Sequence, residues 1–294
     1  TRGTNLKIQD LDTAQFQSDL TTQFDPQGIR HGLLAGIEAS RDKRTVYAAR
    51  SALQGGVNLV KPTTMAGTPD DGASIDESVR TLRLGSDFTA RAWGIYAQDM
   101  LKLSPTVKLV AGVRYDVLDG RFNTNSIPAN APGPESATRY RQDISEWSHR
   151  AGALYQPSDT VSVHFSYGTS FNTSGDTYSY NALSANTPPE SSENLELGGR
   201  FECFDKRLST RVAWFRSTKK NERNTDPDTA ATRLLLSGKR HASGLEIDMA
   251  GRVTNDWELY VSYTWIPVAR VDEAASTATT VGNRVGDRPG LTPR

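Results

Sequence analysis

The sequence predicts an all-β fold, an antiparallel transmembrane β-barrel represented by about ten strands. Three observations predict it: loop lengths that alternate between short and long, strands whose apolar residues recur at every second position, and aromatic pairs at membrane-like spacing. Five strand pairs close on tight polar turns, at Asp25-Pro26-Gln27-Gly28, Ser104-Pro105-Thr106, Pro157-Ser158-Asp159, Phe204-Asp205-Lys206 and Thr254-Asn255-Asp256. The links between these hairpins are longer and rich in Ser, Thr, Asn, Pro and Gly, most of them expected to run to some tens of residues. Short turns on one rim and long loops on the other characterise outer-membrane barrels.

The alternation is clearest in the second half of the chain. Val161, Val163, Phe165, Tyr167, Thr169 and Phe171 share one face of a strand, and Ser162, His164, Ser166, Gly168 and Ser170 share the other. Leu195, Leu197, Gly199, Phe201 and Cys203 alternate with Asn194, Glu196, Gly198, Arg200 and Glu202. Val107, Leu109, Ala111, Val113 and Tyr115 alternate with a polar set holding Arg114 and Asp116, and Leu245, Ile247 and Met249 alternate with one holding Glu246 and Asp248. In a barrel the first sets meet lipid, and Arg114, Glu196, Arg200 and Glu246 point inward, since a basic residue at mid-bilayer on the lipid face costs about 2–4 kcal/mol. A one-faced antiparallel sheet in water alternates in the same way.

Aromatic spacing separates the two. Trp257 follows the last tight turn and Trp265 lies eight residues further on the same face; Trp147 and Tyr155 repeat the interval. Eight residues span roughly 26 Å of strand, close to an apolar band about 25 Å tall with aromatic girdles at its edges. Some segments read less clearly. Asp99 shares a face with Trp93, Ile95 and Leu101, and is expected to lie below the band, near the short turn. In residues 1–14, Leu6, Ile8 and Leu11 fit neither period. Pro267 lacks an N–H and marks where its strand leaves regular pairing.

Composition narrows the class. The chain has 294 residues, 36% of them hydrophobic, and no formal net charge, so nothing suggests a nucleic-acid partner. No apolar run reaches the 18 or so residues of a membrane-spanning helix. The single cysteine, Cys203, is read as a small apolar strand residue. Thr1-Arg2-Gly3-Thr4 opens without the basic and apolar regions of a secretory signal, and the chain is expected to be an internal fragment. No fixed repeat indicates a propeller or solenoid. His31, His149, His164 and His241 do not pair at metal-ligand spacing, and His164 is read as a lumen hydrogen-bonding residue. Asp70-Asp71-Gly72 lacks the rest of a calcium loop, the Gly pairs do not lead from strand to helix, and no Gly-x-Ser-x-Gly elbow appears. No catalytic residue is expected.

Several segments, in order, resemble a known family. Gly94-Ile95-Tyr96-Ala97-Gln98-Asp99 followed by Leu109 to Asp116 is similar to a strand pair of TonB-dependent siderophore receptors. So are Arg150-Ala151-Gly152 leading to Tyr155-Gln156-Pro157, Ser166 to Asn172, Ser192 to Gly198, Gly244 to Asp248 with Gly251 to Trp257, and the closing Arg288 to Arg294. The resemblance covers about 15–294, and Lys219 to Pro227 is similar to the catecholate branch. It implies an outer-membrane receptor that binds a ferric siderophore and imports it with energy transmitted by TonB; a receptor for cobalamin or a sugar is the alternative. Such transporters are 22-stranded with a plugged lumen, so residues 1–294 are read as part of that barrel domain. The plug that engages TonB and the closing strands find no match in the chain.

The resemblance implies binding without covalent chemistry, and no cofactor beyond the ferric siderophore carried as ligand. A ferric tris-catecholate is a bulky aromatic anion, recognised by basic, aromatic and amide side chains on the loops and outer strand ends. Arg139, Tyr140 and Arg141 supply that mixture in one segment, Asn172, Tyr178 and Tyr180, with Asn181, in the next, and Arg223, with Lys219 and Lys220, in a third. The expected partners are ferric siderophore, TonB through the plug, and outer-membrane lipid. Two competing classes stay open at this point: a soluble all-β carbohydrate- or protein-binding domain, and an outer-membrane barrel enzyme such as a lipase or protease.

Overall fold

A computed structural model describes residues 8–60, 62–63, 65, 67–68, 72, 74–172, 178–181, 185, 188–225 and 234–273, with the side chains of 222–225 and 234–237 excepted. Among the described residues ten strands form one antiparallel sheet in which every strand pairs only with its neighbours in the chain. They are β1 (Ile8–Phe24), β2 (Arg30–Ala49), β3 (Leu82–Lys102), β4 (Val107–Ser126), β5 (Ser136–Ser158), β6 (Val161–Asn172), β7 (Glu190–Cys203), β8 (Leu208–Thr225), β9 (Leu234–Arg252) and β10 (Glu258–Glu273). Four of the five tight turns fall where the sequence puts them; at the third, Pro157 and Ser158 still belong to β5 beyond a register slip, and the turn is Asp159-Thr160. At the first, Gln27 and Gly28 take left-handed backbone, and at the fourth Phe204, Asp205 and Lys206 do the same.

The opposite rim corrects one expectation. The links at 50–81 and 173–189 are long, but those at 127–135 and 226–233 are not. The strands have absorbed the difference: β3, β4 and β5 run for 21, 20 and 23 residues, where about 9–11 suffice to cross a bilayer. The sheet therefore continues well beyond the membrane on the long-loop side. Residues 1–14 are resolved by the same fact. From Ile8 onward they belong to β1, paired to β2, while Leu6 lies outside the described residues.

One rung shows how the outer face is made. Phe24, His31, Leu101, Leu109, Ala153, Phe165, Leu197, Trp214, Leu245 and Trp265 are successive register partners across all ten strands. Nine of the ten are apolar. Phe24 sits beside its tight turn, whereas Trp265 is well up its strand, so the rung climbs across the sheet. That stagger is the shear that tilts strands in a barrel. Among the described residues no second layer covers this face: Phe165 is 39% exposed, Leu197 52%, Trp214 40% and Trp265 54%. A soluble domain buries such side chains; here the bilayer is their complement.

His31 is the polar member, and it explains Asp99. Its Nδ1 lies 2.6 Å from an Asp99 carboxylate oxygen, and the ring of Phe24 stacks on it at 4.9 Å. Asp99 stands three residues from the end of β3, at the lower margin of the apolar band. The upper margin carries Trp93, Tyr115 and Trp147 in a chain of ring contacts at 5.8 and 4.8 Å. Between Trp265 and Val268 the register slips by a bulge that takes up Pro267.

If hydrocarbon covers this face, charge placement will follow it. In the intact protein folded in liposomes, Leu197→Arg should lower unfolding stability by about 2–4 kcal/mol, while Ser166→Arg, on the other face, should change it by much less. Equal effects of the two substitutions would show that the faces are not differently solvated.

Candidate functional site

The inner face divides into a polar lower part and an aromatic upper part. In the lower part Arg114, on β4, donates to Asp116 at 2.8 Å and to Glu38 at 3.0 Å. Its guanidinium lies 5.3 Å from the centre of the Tyr96 ring. The Tyr96 hydroxyl in turn donates to Asp19 and accepts from Gln17 at 3.1 Å. These side chains lie flat across the sheet because Gly36 and Gly94 leave room. A Cβ on Gly36 would stand 2.5 Å from the Tyr96 ring, and one on Gly94 2.6 Å from Asp116. Further round, His164 shares a 2.7 Å hydrogen bond with Glu196, and Arg200, Arg211, Glu246 and Asp248 line the same hollow. The four mid-strand charges expected to face inward do so.

Above this polar floor the inner face becomes apolar. Phe88 and Ala90 of β3 are buried together with Tyr180, and Phe122, Tyr140 and Tyr178 pack against them. Residues 178–181 come from the β6–β7 link, yet they seat on β3 and β4. Tyr178 and Tyr180 each contact Phe88 at 5.5 Å between ring centres. The Tyr180 hydroxyl lies where a Cβ on Gly120 would be, 2.1 Å away. Arg44 of β2 caps the Tyr178 ring at 5.5 Å, and Tyr178 takes the left-handed backbone, φ 72°, that turns it onto Phe88. Phe122 and Tyr140 lie nearly parallel, 6.4 Å apart. Phe88 and Tyr180 form the buried base, and Phe122, Tyr140 and Tyr178 leave a half-exposed aromatic surface with a guanidinium at its edge, at the outer end of the lumen face. Such a surface stacks flat rings and attracts anions.

The structure sorts the residues singled out from sequence. Tyr140, Tyr178 and Tyr180 come together in this cluster, although Tyr140 belongs to β5 and the other two to the β6–β7 link. Asn172, at the end of β6, is on the inner face opposite Glu190. Arg139 and Arg141 flank Tyr140 and by alternation occupy the outer face. Arg141 is engaged there with Asp119 at 2.8 Å and Asp143 at 3.0 Å. Arg223 belongs to β8, but its side chain is outside the described residues. Lys219 and Lys220 face Glu190 and Glu193. Sequence reading missed Phe88, Phe122 and Arg44. Phe88 and Phe122 sit at positions of polar parity, and an aromatic there, above the last interfacial Trp, was the available signal.

A tilted antiparallel sheet with an uncovered apolar outer face, girdles of aromatic residues and a charged inner face defines a segment of an outer-membrane β-barrel. Its sequence matches the family described as TonB dependent receptor-like, beta-barrel, over residues 2–294, and the chain belongs to that family. It is 24% identical over 288 residues to the probable TonB-dependent siderophore receptor PiuA of Acinetobacter baumannii, covering 89% of this chain and 36% of the relative. It is 26% identical over 277 residues to the ferric-pyoverdine M114 receptor PbuA of a Pseudomonas species, covering 92% and 32%. Among solved structures, the closed form of the ferric-catecholate import receptor Fiu from Escherichia coli K12 superposes with a TM-score of 0.70 at 22% identity, covering 92% of this chain and 40% of that one. The chain thus spans about a third of the length of these curated relatives. It is an outer-membrane protein.

The seating of Tyr180 on Gly120 is directly testable. Gly120→Val should displace Tyr180 and raise amide exchange of residues 178–181 in the intact protein while leaving β7 and β8 protected. Unchanged exchange at 178–181 would mean that this contact does not hold the segment.

Proposed function

We propose that the protein containing this chain is a receptor that binds a ferric siderophore at the outer mouth of its barrel and imports it with energy transmitted by TonB. The observation that carries this reading is the aromatic cluster on the lumen face above the polar floor, where the half-buried rings of Phe122, Tyr140 and Tyr178, edged by Arg44, lie over the buried Phe88 and Tyr180. Flat rings stack on it, and the guanidinium complements negative charge. A catecholate ligand suits both features, and the ferric-catecholate import receptor Fiu shares the fold. Asn172 is an inner-face amide at the end of β6, nearer the polar floor, and stays a candidate contact. Arg139 and Arg141 do not join this surface, and Arg223 remains a candidate for it. The protein acts by binding and release rather than by catalysis, and its energy coupling runs through a plug domain that engages TonB.

In liposomes, the intact protein should bind a ferric tris-catecholate with submicromolar affinity, read by quenching of tryptophan fluorescence. Tyr140→Ala should weaken that affinity by about tenfold, the scale of one lost stacking contact of about 1–1.5 kcal/mol. Tight binding of cobalamin or a sugar with no binding of any ferric siderophore would overturn the substrate class.

A further inference from the structure

On the outer face of β2–β5 the chemistry changes within a single step of the strands. One rung reads Ala39, Trp93, Val117 and Ser145; the next reads Arg41, Arg91, Asp119 and Asp143. The rung above it holds Lys43, Thr89, Arg121 and Arg141. Two residues of strand separate Trp93 from Arg91, about 7 Å. Trp and Tyr mark the level of the membrane–water interface, so the arginines emerge where lipid headgroups begin.

Their pairing is unbalanced. Arg41 stands directly opposite Arg91, and Arg121 directly opposite Arg141; like charges so placed destabilise a sheet. Asp119 is the register partner of Arg91, but its carboxylate is taken by Arg121 at 3.1 Å and Arg141 at 2.8 Å. Asp87 accepts from Asn123 at 2.8 Å. Arg41 and Arg91, both exposed, are left with no ion pair or side-chain hydrogen bond among the described residues. A cavity of about 420 Å³ opens between them, lined also by Asp87, Thr89, Asp119, Arg121 and Asn123, its two carboxylates engaged by Asn123 and by Arg121 and Arg141.

We propose that this outward-facing cavity binds the phosphate group of an outer-leaflet lipid, with Arg41 and Arg91 as its principal donors. A guanidinium grips phosphate bidentately, and an anion between Arg41 and Arg91 removes their mutual repulsion. Thr89 offers an uncharged hydrogen bond at the wall, and Asn123 holds Asp87. The acyl chains of the same lipid would lie along Ala39, Trp93 and Ile95 below, so one molecule satisfies both chemistries of the face. Asp119 holds Arg121 and Arg141 in place and narrows the site to a compact headgroup. The inference concerns the outer wall and is independent of what the lumen binds.

The test uses the intact protein in vesicles of a phosphate-free glycolipid, with and without added phosphatidic acid, and reads contact by quenching of Trp93 with a bromine-labelled phosphatidic acid. Wild type should enrich the labelled lipid severalfold over its bulk fraction, and Arg41→Gln with Arg91→Gln should abolish that enrichment. Arg41→Lys should retain part of it, and serves as the readout should the double variant fail to insert. Equal enrichment in wild type and the double variant would overturn the proposal. So would displacement of the lipid by inorganic phosphate at the same phosphate concentration, which would make the site one for the free ion.

Discussion

Hydrocarbon can solvate neither a peptide group nor a charge, and the organisation of this chain follows from that single restriction. The peptide groups are paired strand to strand across the ten-stranded sheet. The side chains divide by face, and the unbroken rung from Phe24 to Trp265 shows the division holding for the full width of the sheet. His31 is its one polar member, and it is close to a turn, against Asp99 and under Phe24. Exposed apolar side chains that would mark aggregation in water are here the surface the bilayer requires.

The same restriction lapses above the aromatic girdle, and there the two faces exchange character. Below Trp93 the outer face is apolar and the inner face charged. Above it the outer face carries Arg41, Arg91, Arg121 and Arg141, and the inner face gathers Phe88, Phe122 and Tyr140. Strands longer than the membrane needs make both surfaces possible. The lower lumen keeps Arg114, Asp116, Glu38 and Tyr96 in a fixed net over Gly36 and Gly94. The upper lumen offers rings, and the upper exterior offers guanidinium groups at headgroup height.

What was legible in the sequence follows the same boundary. Turns, strand number, inward charges and the eight-residue aromatic intervals could be read because they depend only on neighbouring residues and on one solvent per face. The inversion could not, since period-2 alternation assigns a face but says nothing of the medium at a given height. That is why Tyr140 and Arg141, adjacent in sequence, were grouped together although they lie on opposite sides of the wall. Leu11 fitted neither pattern for the same reason: it stands on the inner face of β1 above the band, opposite Arg44. The seat of residues 178–181 on β3 and β4 was hidden for another. It is a contact between distant parts of the chain, and only Gly120, with no side chain of its own, hints at it.

A spin-label scan along β3 in liposomes measures the central claim most directly, by comparing quenching from the lipid phase with quenching from water at each position. Labels at 93, 95 and 97 should respond to the lipid-phase quencher and labels at 94, 96 and 98 to the aqueous one. At 91 and 89 the outward positions should turn aqueous. A scan without alternation between 93 and 98, or with 91 as deep in lipid as 95, would contradict both the barrel wall and the boundary drawn across it.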